Sequence, residues 1–282
     1  MKTILLPTDF SKNSMNAIDY AMAMFKDVAC GFYIINVQKA SSFISDDMIM
    51  VSASATIYQT IVDTAKKSIE NVISKIKTKF HNDKHHFYSI VDYDNFIDSL
   101  NQASEINHID LIVMGTKGAS GLEKVIFGSN TVRVMQRCNT PVLAIPDGCK
   151  FKSMDAVAFT TSFHSIYHEE NLKPLINLTK GCHSKLHVLH VAEKDALSPE
   201  MGKDIHFFYD HFDTVSCEHI YDTNNNIFNT IDDYIKDNDI KLLAMVGRKH
   251  SFLERLFTTH TVETIAFQIK IPFLVMHDVS KI

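Results

Sequence analysis

The run GTKGASGLEKVIFGSNT, from Gly115 to Thr131, carries the residues best suited to chemistry in this chain. Gly115 and Gly118 flank a turn whose backbone must approach something closely or adopt positive φ. Gly128 and Ser129 then open a helix over SNTVRVMQR. The first amides of that helix have no intrahelical acceptor. Together with the Ser129 hydroxyl and a second hydroxyl from Thr131, they form an anion site, to which the helix dipole adds. The same residues also fit a plain glycine-rich loop followed by a serine-capped helix.

The elements that position this segment follow a repeat. Lys2–Ser11 (KTILLPTDFS) resembles Asp155–His164 (DAVAFTTSFH), and Phe32–Val37 resembles Leu186–Val191. Asp110–Gly118 resembles Lys241–His250, and Thr140–Pro146 resembles Ile271–His277. Four strand-like blocks therefore recur in one order, at an offset of about 130 to 155 residues. Short apolar runs without alternation predict strands buried on both faces. Apolar spacing predicts helices over 13–25, 57–80, 93–106 and 129–137. The β-α-β-α-β-α-β-α-β order predicts a parallel, doubly wound sheet. The fold class is α/β: two tandem Rossmann-like domains, residues 1–147 and 153–282, joined by DGCKFKS. Ligands of such sheets bind beyond the carboxyl ends of the strands.

On these motifs the chain resembles the universal stress protein family. Its ATP-binding members carry G-x2-G-x9-G-(S/T), matched here by Gly115, Gly118, Gly128 and Ser129. Pro7, Asp9, Phe10 and Ser11 match the family's first-strand ending, and Asn139–Leu143 its approach to the last strand. The match covers nearly all of residues 1–146, and the implied fold is adenine nucleotide alpha hydrolase-like. The resemblance implies that Asp9 contacts the adenine or ribose end, with Pro7 and Thr8 lining that side. Val37 would pack on the adenine face and Met114 would sit near the nucleotide; plain core packing explains both equally well. Gly115, Gly118, Gly128, Ser129 and Asn130 would hold the phosphates. A carboxylate can accept from ribose hydroxyls, and amides and hydroxyls donate to phosphate. For Asp9 the alternative role is a cap on the helix starting near Lys12. The implied ligand is an adenine nucleotide (ATP, ADP, AMP or cAMP), with or without Mg.

The second copy departs from the pattern. Thr160 stands at the place of Pro7 and Ser162 at that of Asp9; Gly247 keeps the first glycine. His250 replaces the second glycine, and His260–Thr261 replaces Gly128–Ser129. A histidine ring fills space that backbone glycine leaves for phosphate, so this half is expected to bind no nucleotide. Of the 15 histidines, 11 lie there, yet none has HExxH or finger spacing, and no metal site is expected. His187 and His190, three apart on one strand, face opposite sides.

A net charge of −5 spread over both halves disfavours nucleic acid as a partner. No apolar run reaches membrane-spanning length. The start, MKTILLPTDFS, reads as a buried strand rather than a leader. The five scattered cysteines read as free thiols of a cytoplasmic protein. No GxxxxGK(S/T) is present, and phosphoryl transfer needs a positioned base and charge neutralisation. Binding with little turnover is the first reading; a slow ATP hydrolase and a nucleotide-independent interaction scaffold are the alternatives. The family's habit of pairing through its last strand predicts an intramolecular pseudo-dimer of Thr140–Pro146 with Ile271–His277, which leaves a homodimer open.

Overall fold

The structure, a computed structural model, describes residues 1–38, 51–116, 128–161, 169–180, 182–192, 201–221, 227–247 and 270–277. The first half runs β1 (Lys2–Pro7), α1 (Lys12–Met24), β2 (Cys30–Val37), α2 (Val51–Phe80), β3 (His85–Asp92), α3 (Phe96–Ile106), β4 (Leu111–Gly115), α4 (Ser129–Arg137) and β5 (Val142–Ile145). The second half runs β6 (Ala156–Thr161), α5 (Glu169–Thr179), β7 (Lys185–Ala192), α6 (Met201–His211), β8 (Thr214–Tyr221), α7 (Ile227–Asp237), β9 (Leu242–Gly247) and β10 (Phe273–His277). The ten described strands form one sheet, in the order β3-β2-β1-β4-β5-β10-β9-β6-β7-β8.

Alternation along each strand fills both faces. In β1, Ile4 and Leu6 enter one buried cluster with residues of α1, α2, α5 and α6. Leu5 enters the other, with residues of α3, α4 and α7. Each such side chain taken fully out of water stabilises the fold by about 1.5–3 kcal/mol. This two-sided burial explains why the strands read as unbroken apolar runs.

Two helix starts differ from the sequence reading by three residues or more. α3 begins at Phe96 rather than 93, because the Asn95 side chain accepts from Ile97 N–H at 3.0 Å and caps it. α2 begins at Val51, six residues before its apolar periodicity becomes legible.

β5 and β10 pair antiparallel, with Leu143 opposite Leu274, Val142 opposite Val275 and Ala144 opposite Phe273. Every other described pairing is parallel. The expected pairing of the two last strands is therefore present within one chain. Among the described residues, no helix is long and apolar enough to cross a membrane.

Candidate functional site

β1 lies between β2 and β4, and the chain leaves it toward β3 on one side and β5 on the other. The helices that follow β1 and β4 pack on opposite faces there, α1 in the first cluster and α4 in the second, the topology in which ligands of open α/β sheets find a crevice beyond the carboxyl ends of the strands.

The β1 end is held by a dense set of hydrogen bonds. Pro7 is buried, opposite Ile35. Thr8 N–H donates to Ile35 O at 2.9 Å, and Asn36 Nδ2 donates to Thr8 O at 2.7 Å. The buried Thr8 hydroxyl bonds Ser14 Oγ at 3.0 Å and accepts from Phe10 N–H at 3.0 Å. Phe10 sits at φ 62°, a left-handed conformation that costs a bulky residue about 1–3 kcal/mol. Asp9 is exposed, and its Oδ1 accepts from Ser11 N–H at 3.0 Å. Ser11 is the cap of α1, its hydroxyl accepting from Ser14 N–H at 3.3 Å. The alternative role of Asp9 as the helix cap is thereby corrected: Asp9 fixes the cap instead of being it.

Gly115 ends β4 for a packing reason. A Cβ there would lie 2.9 Å from Asn13 Cγ and Oδ1, and 3.0 Å from the Asn13 carbonyl oxygen. The close approach that the sequence required at this glycine is made by the start of α1.

The α4 start is tied to the same strand. Gly128 N–H donates to Thr116 O at 2.7 Å. The buried Thr131 hydroxyl donates to Gly115 O at 3.0 Å and Thr116 O at 3.3 Å. Its single proton is thus engaged in joining α4 to β4. Gly128, not Ser129, is the cap residue, in extended conformation and without a side-chain cap bond. That corrects the serine-capped alternative: Ser129 is the first helical residue, and Ser129 and Asn130 are exposed. No acidic residue occupies the first turn of α4, so no side chain of that turn offsets the positive end of the helix dipole.

Pro7, Thr8, Asp9, Gly115, Gly128, Ser129, Asn130 and Thr131 thus gather on the elements bordering one crevice. Val37 lies one strand away at the same edge, half-buried against the second cluster and opposite Asp92. Met114 is buried in that cluster. Gly118 lies outside the described residues. The sequence reading did not single out Ser14, Asn13 or Asn36. Only Asn36 left a signal, as a polar residue inside the apolar strand FYIINV.

In the second half the pairing of β6 with β9 sets the correspondence. Val157 opposes Leu242 as Ile4 opposes Leu111, and Val246 opposes Met276 as Gly115 opposes Ile145. Buried Val246 therefore occupies the place of Gly115, and Gly247 that of Thr116. The expectation that Gly247 keeps the first glycine is corrected; the compared segments differ in length by one residue, which hid the shift. Ser162, His250, His260 and Thr261 lie outside the described residues. His187 bonds the Tyr234 hydroxyl through Nδ1 at 2.8 Å, and burial, aided by Lys185, lowers its pKa. His190 packs edge-on against His219, with ring centroids 5.6 Å apart. Among the described residues, no group of three or more His, Cys, Asp or Glu could hold a metal ion.

The crevice and its two anchored helix starts sit within residues 1–146, which match the family model described as universal stress protein family. The chain belongs to the universal stress protein family. A universal stress protein of Methanocaldococcus jannaschii is 28% identical over 151 residues, 51% of this chain and 81% of that protein. A universal stress protein of Archaeoglobus fulgidus superposes with a TM-score of 0.66 at 19% identity, over 97% of this chain and 95% of that one. A functionally unknown protein of Pseudomonas aeruginosa superposes with a TM-score of 0.61 at 10% identity, over 98% and 92%. These two structures share the fold across both halves of the sheet.

Proposed function

We propose that this universal stress protein binds one adenine nucleotide, ATP or ADP, in the crevice of its first half. The observation that carries the reading is the α4 start: a glycine cap without a side chain, exposed Ser129 and Asn130, and no acidic first-turn residue, all anchored to β4. Backbone amides there would donate to phosphate, and Ser129 would add a hydroxyl. Asp9 would address the nucleoside, its carboxylate oriented by Ser11 N–H. A Mg²⁺ ion would ride on phosphate and water oxygens, since Asp9 serves the nucleoside end.

The second half is a degenerate copy, with a domain boundary at 147–153. The mirrored strand order around the β5–β10 pair supports duplication, and Val246 at the place of Gly115 supports loss of the site. The protein acts as a cytoplasmic stress-response or signalling module with little turnover. Its five cysteines are free, and burial pushes the Cys30 thiol up to about 11 and the Cys138 thiol to about 12. Such thiols stay protonated and fit a reducing compartment. Titration calorimetry with ATP is expected to give one site per chain. Two equivalent sites, or none, would refute this reading.

A further inference from the structure

A cavity of about 680 Å³ lies far from the crevice, at the amino ends of β1 and β4, where α5 of the second half faces the first. Its apolar wall is formed by Ile4, Phe25, Leu111, Leu178 and Met276. Lys2, Lys173 and Glu170 stand around it.

The connection between the halves accounts for this space. On one side of the β5–β10 junction, residues 147–153 run along α1. Asn16 Nδ2 donates to Pro146 O at 3.2 Å and Cys149 O at 3.1 Å. The Phe151 ring meets Tyr20 edge-on at 5.5 Å. Cys149, Phe151 and Met154 complete the first core cluster there. The strand registers make α5 the counterpart of α1, and β1 with β4 the counterpart of β6 with β9. The backbone repeats as well: Asp110 N–H donates to Thr3 O as Lys241 N–H donates to Ala156 O. The cavity is therefore the mirrored niche, and a chain with two halves has only one connection to fill two niches.

We propose that this niche binds a small amphipathic carboxylate: an apolar body in the place that Phe151 takes opposite, and an anionic head at the mouth. The volume falls within the range of small-molecule sites, which favour boundaries between packed units. The donors at the mouth favour an anionic head. Lys2 and Lys173 line it together with Glu170 and Asp110. Asp110 Oδ2 already accepts from Thr3 N–H at 2.8 Å and the Thr3 hydroxyl at 3.0 Å, whereas each ammonium carries three N–H donors, of which Lys2 gives one to Asn177 O. Lys2 Nζ reaches across to Asn177 O at 3.1 Å and lies 5.6 Å from the centre of the Phe25 ring, so a cation already borders the apolar wall. Residues 278–282, DVSKI, follow β10 as DGCKF follows β5, and are the rival occupant.

The probe is 8-anilinonaphthalene-1-sulfonate, added to the full chain with ATP in excess. One probe per chain is expected, displaced by octanoate at least about tenfold better than by octylammonium. Lys173→Glu should remove that preference. Asn177→Phe, at an exposed position beside the niche, should weaken probe binding without lowering the melting temperature. Competition between probe and ATP would place the probe in the crevice and overturn the proposal. Unchanged binding in both variants would overturn it too. So would binding that appears only after residues 278–282 are removed, which would make the chain its own occupant.

Discussion

Asp9 follows β1 and Ser129 begins α4, so each should answer to a different part of a nucleotide. Asp9→Ala should weaken ATP and adenosine alike. Ser129→Ala should weaken ATP roughly 10- to 100-fold, the loss of one hydrogen bond to a charged group, and leave adenosine almost unchanged. Ser129 is exposed and does not cap its helix, so its melting temperature should barely move. A Ser129→Ala protein with lower stability and an unaltered ATP-to-adenosine preference would show that the hydroxyl serves the fold alone. Gly115 makes the opposite case. Gly115→Ala puts a Cβ against Asn13, whose backbone carbonyl cannot swing aside. Overpacking of this kind costs about 1–3 kcal/mol, and adding Asn13→Ala should return only part of it. A urea midpoint unchanged by Gly115→Ala would remove the packing explanation. The glycine itself was legible in the sequence. Its partner was not, because Asn13 is brought to it only by the α1 crossover.

At the scale of elements, α4 is held to β4 by the Thr131 hydroxyl and the Gly128 amide. Thr131→Val keeps the shape but leaves the Gly115 carbonyl without that donor. A buried group so orphaned costs about 1–3 kcal/mol. ATP affinity should fall with it, because the amides of the α4 start lose their fixed position. Unfolding curves and ATP titration of the one variant check both effects; intact affinity in a destabilised protein would separate the helix start from the ligand. The parallel strands and the existence of α1, α3 and α4 were readable from apolar runs and 3.6-residue spacing. The caps were readable only as residue types. Whether Asp9 or Ser11, Gly128 or Ser129, takes the cap depends on backbone angles that tertiary packing sets. The one-residue shift between Gly115 and Gly247 needed the hydrogen-bond register of β9.

Across the whole molecule, the two halves meet at β5 and β10 through backbone pairing, and His277 adds a side-chain tie. From the end of β10 its Nε2–H donates to Met135 O at 2.8 Å. Met135 lies in the last turn of α4, where carbonyls lack intrahelical donors, so one half completes a helix end of the other. Burial lowers the His277 pKa from 6.5, outweighing the Met135 bond that favours the charged ring. The Nδ1 atom is buried, with no partner among the described residues, so a proton added there would go unmet. The unfolded chain therefore takes up this proton at a higher pH than the folded one. Stability that depends on a neutral His277 is complete above the unfolded pKa of 6.5 and declines as pH falls through it. His187, whose pKa burial also lowers, acts in the same direction. His277→Gln keeps an N–H for Met135 and cannot take up the proton. Between about pH 7.5 and about pH 5.5, the melting temperature should fall in both proteins, and by less in the variant. Parallel curves would mean that His277 does not titrate on unfolding, and that acid sensitivity lies elsewhere than at the junction of the halves.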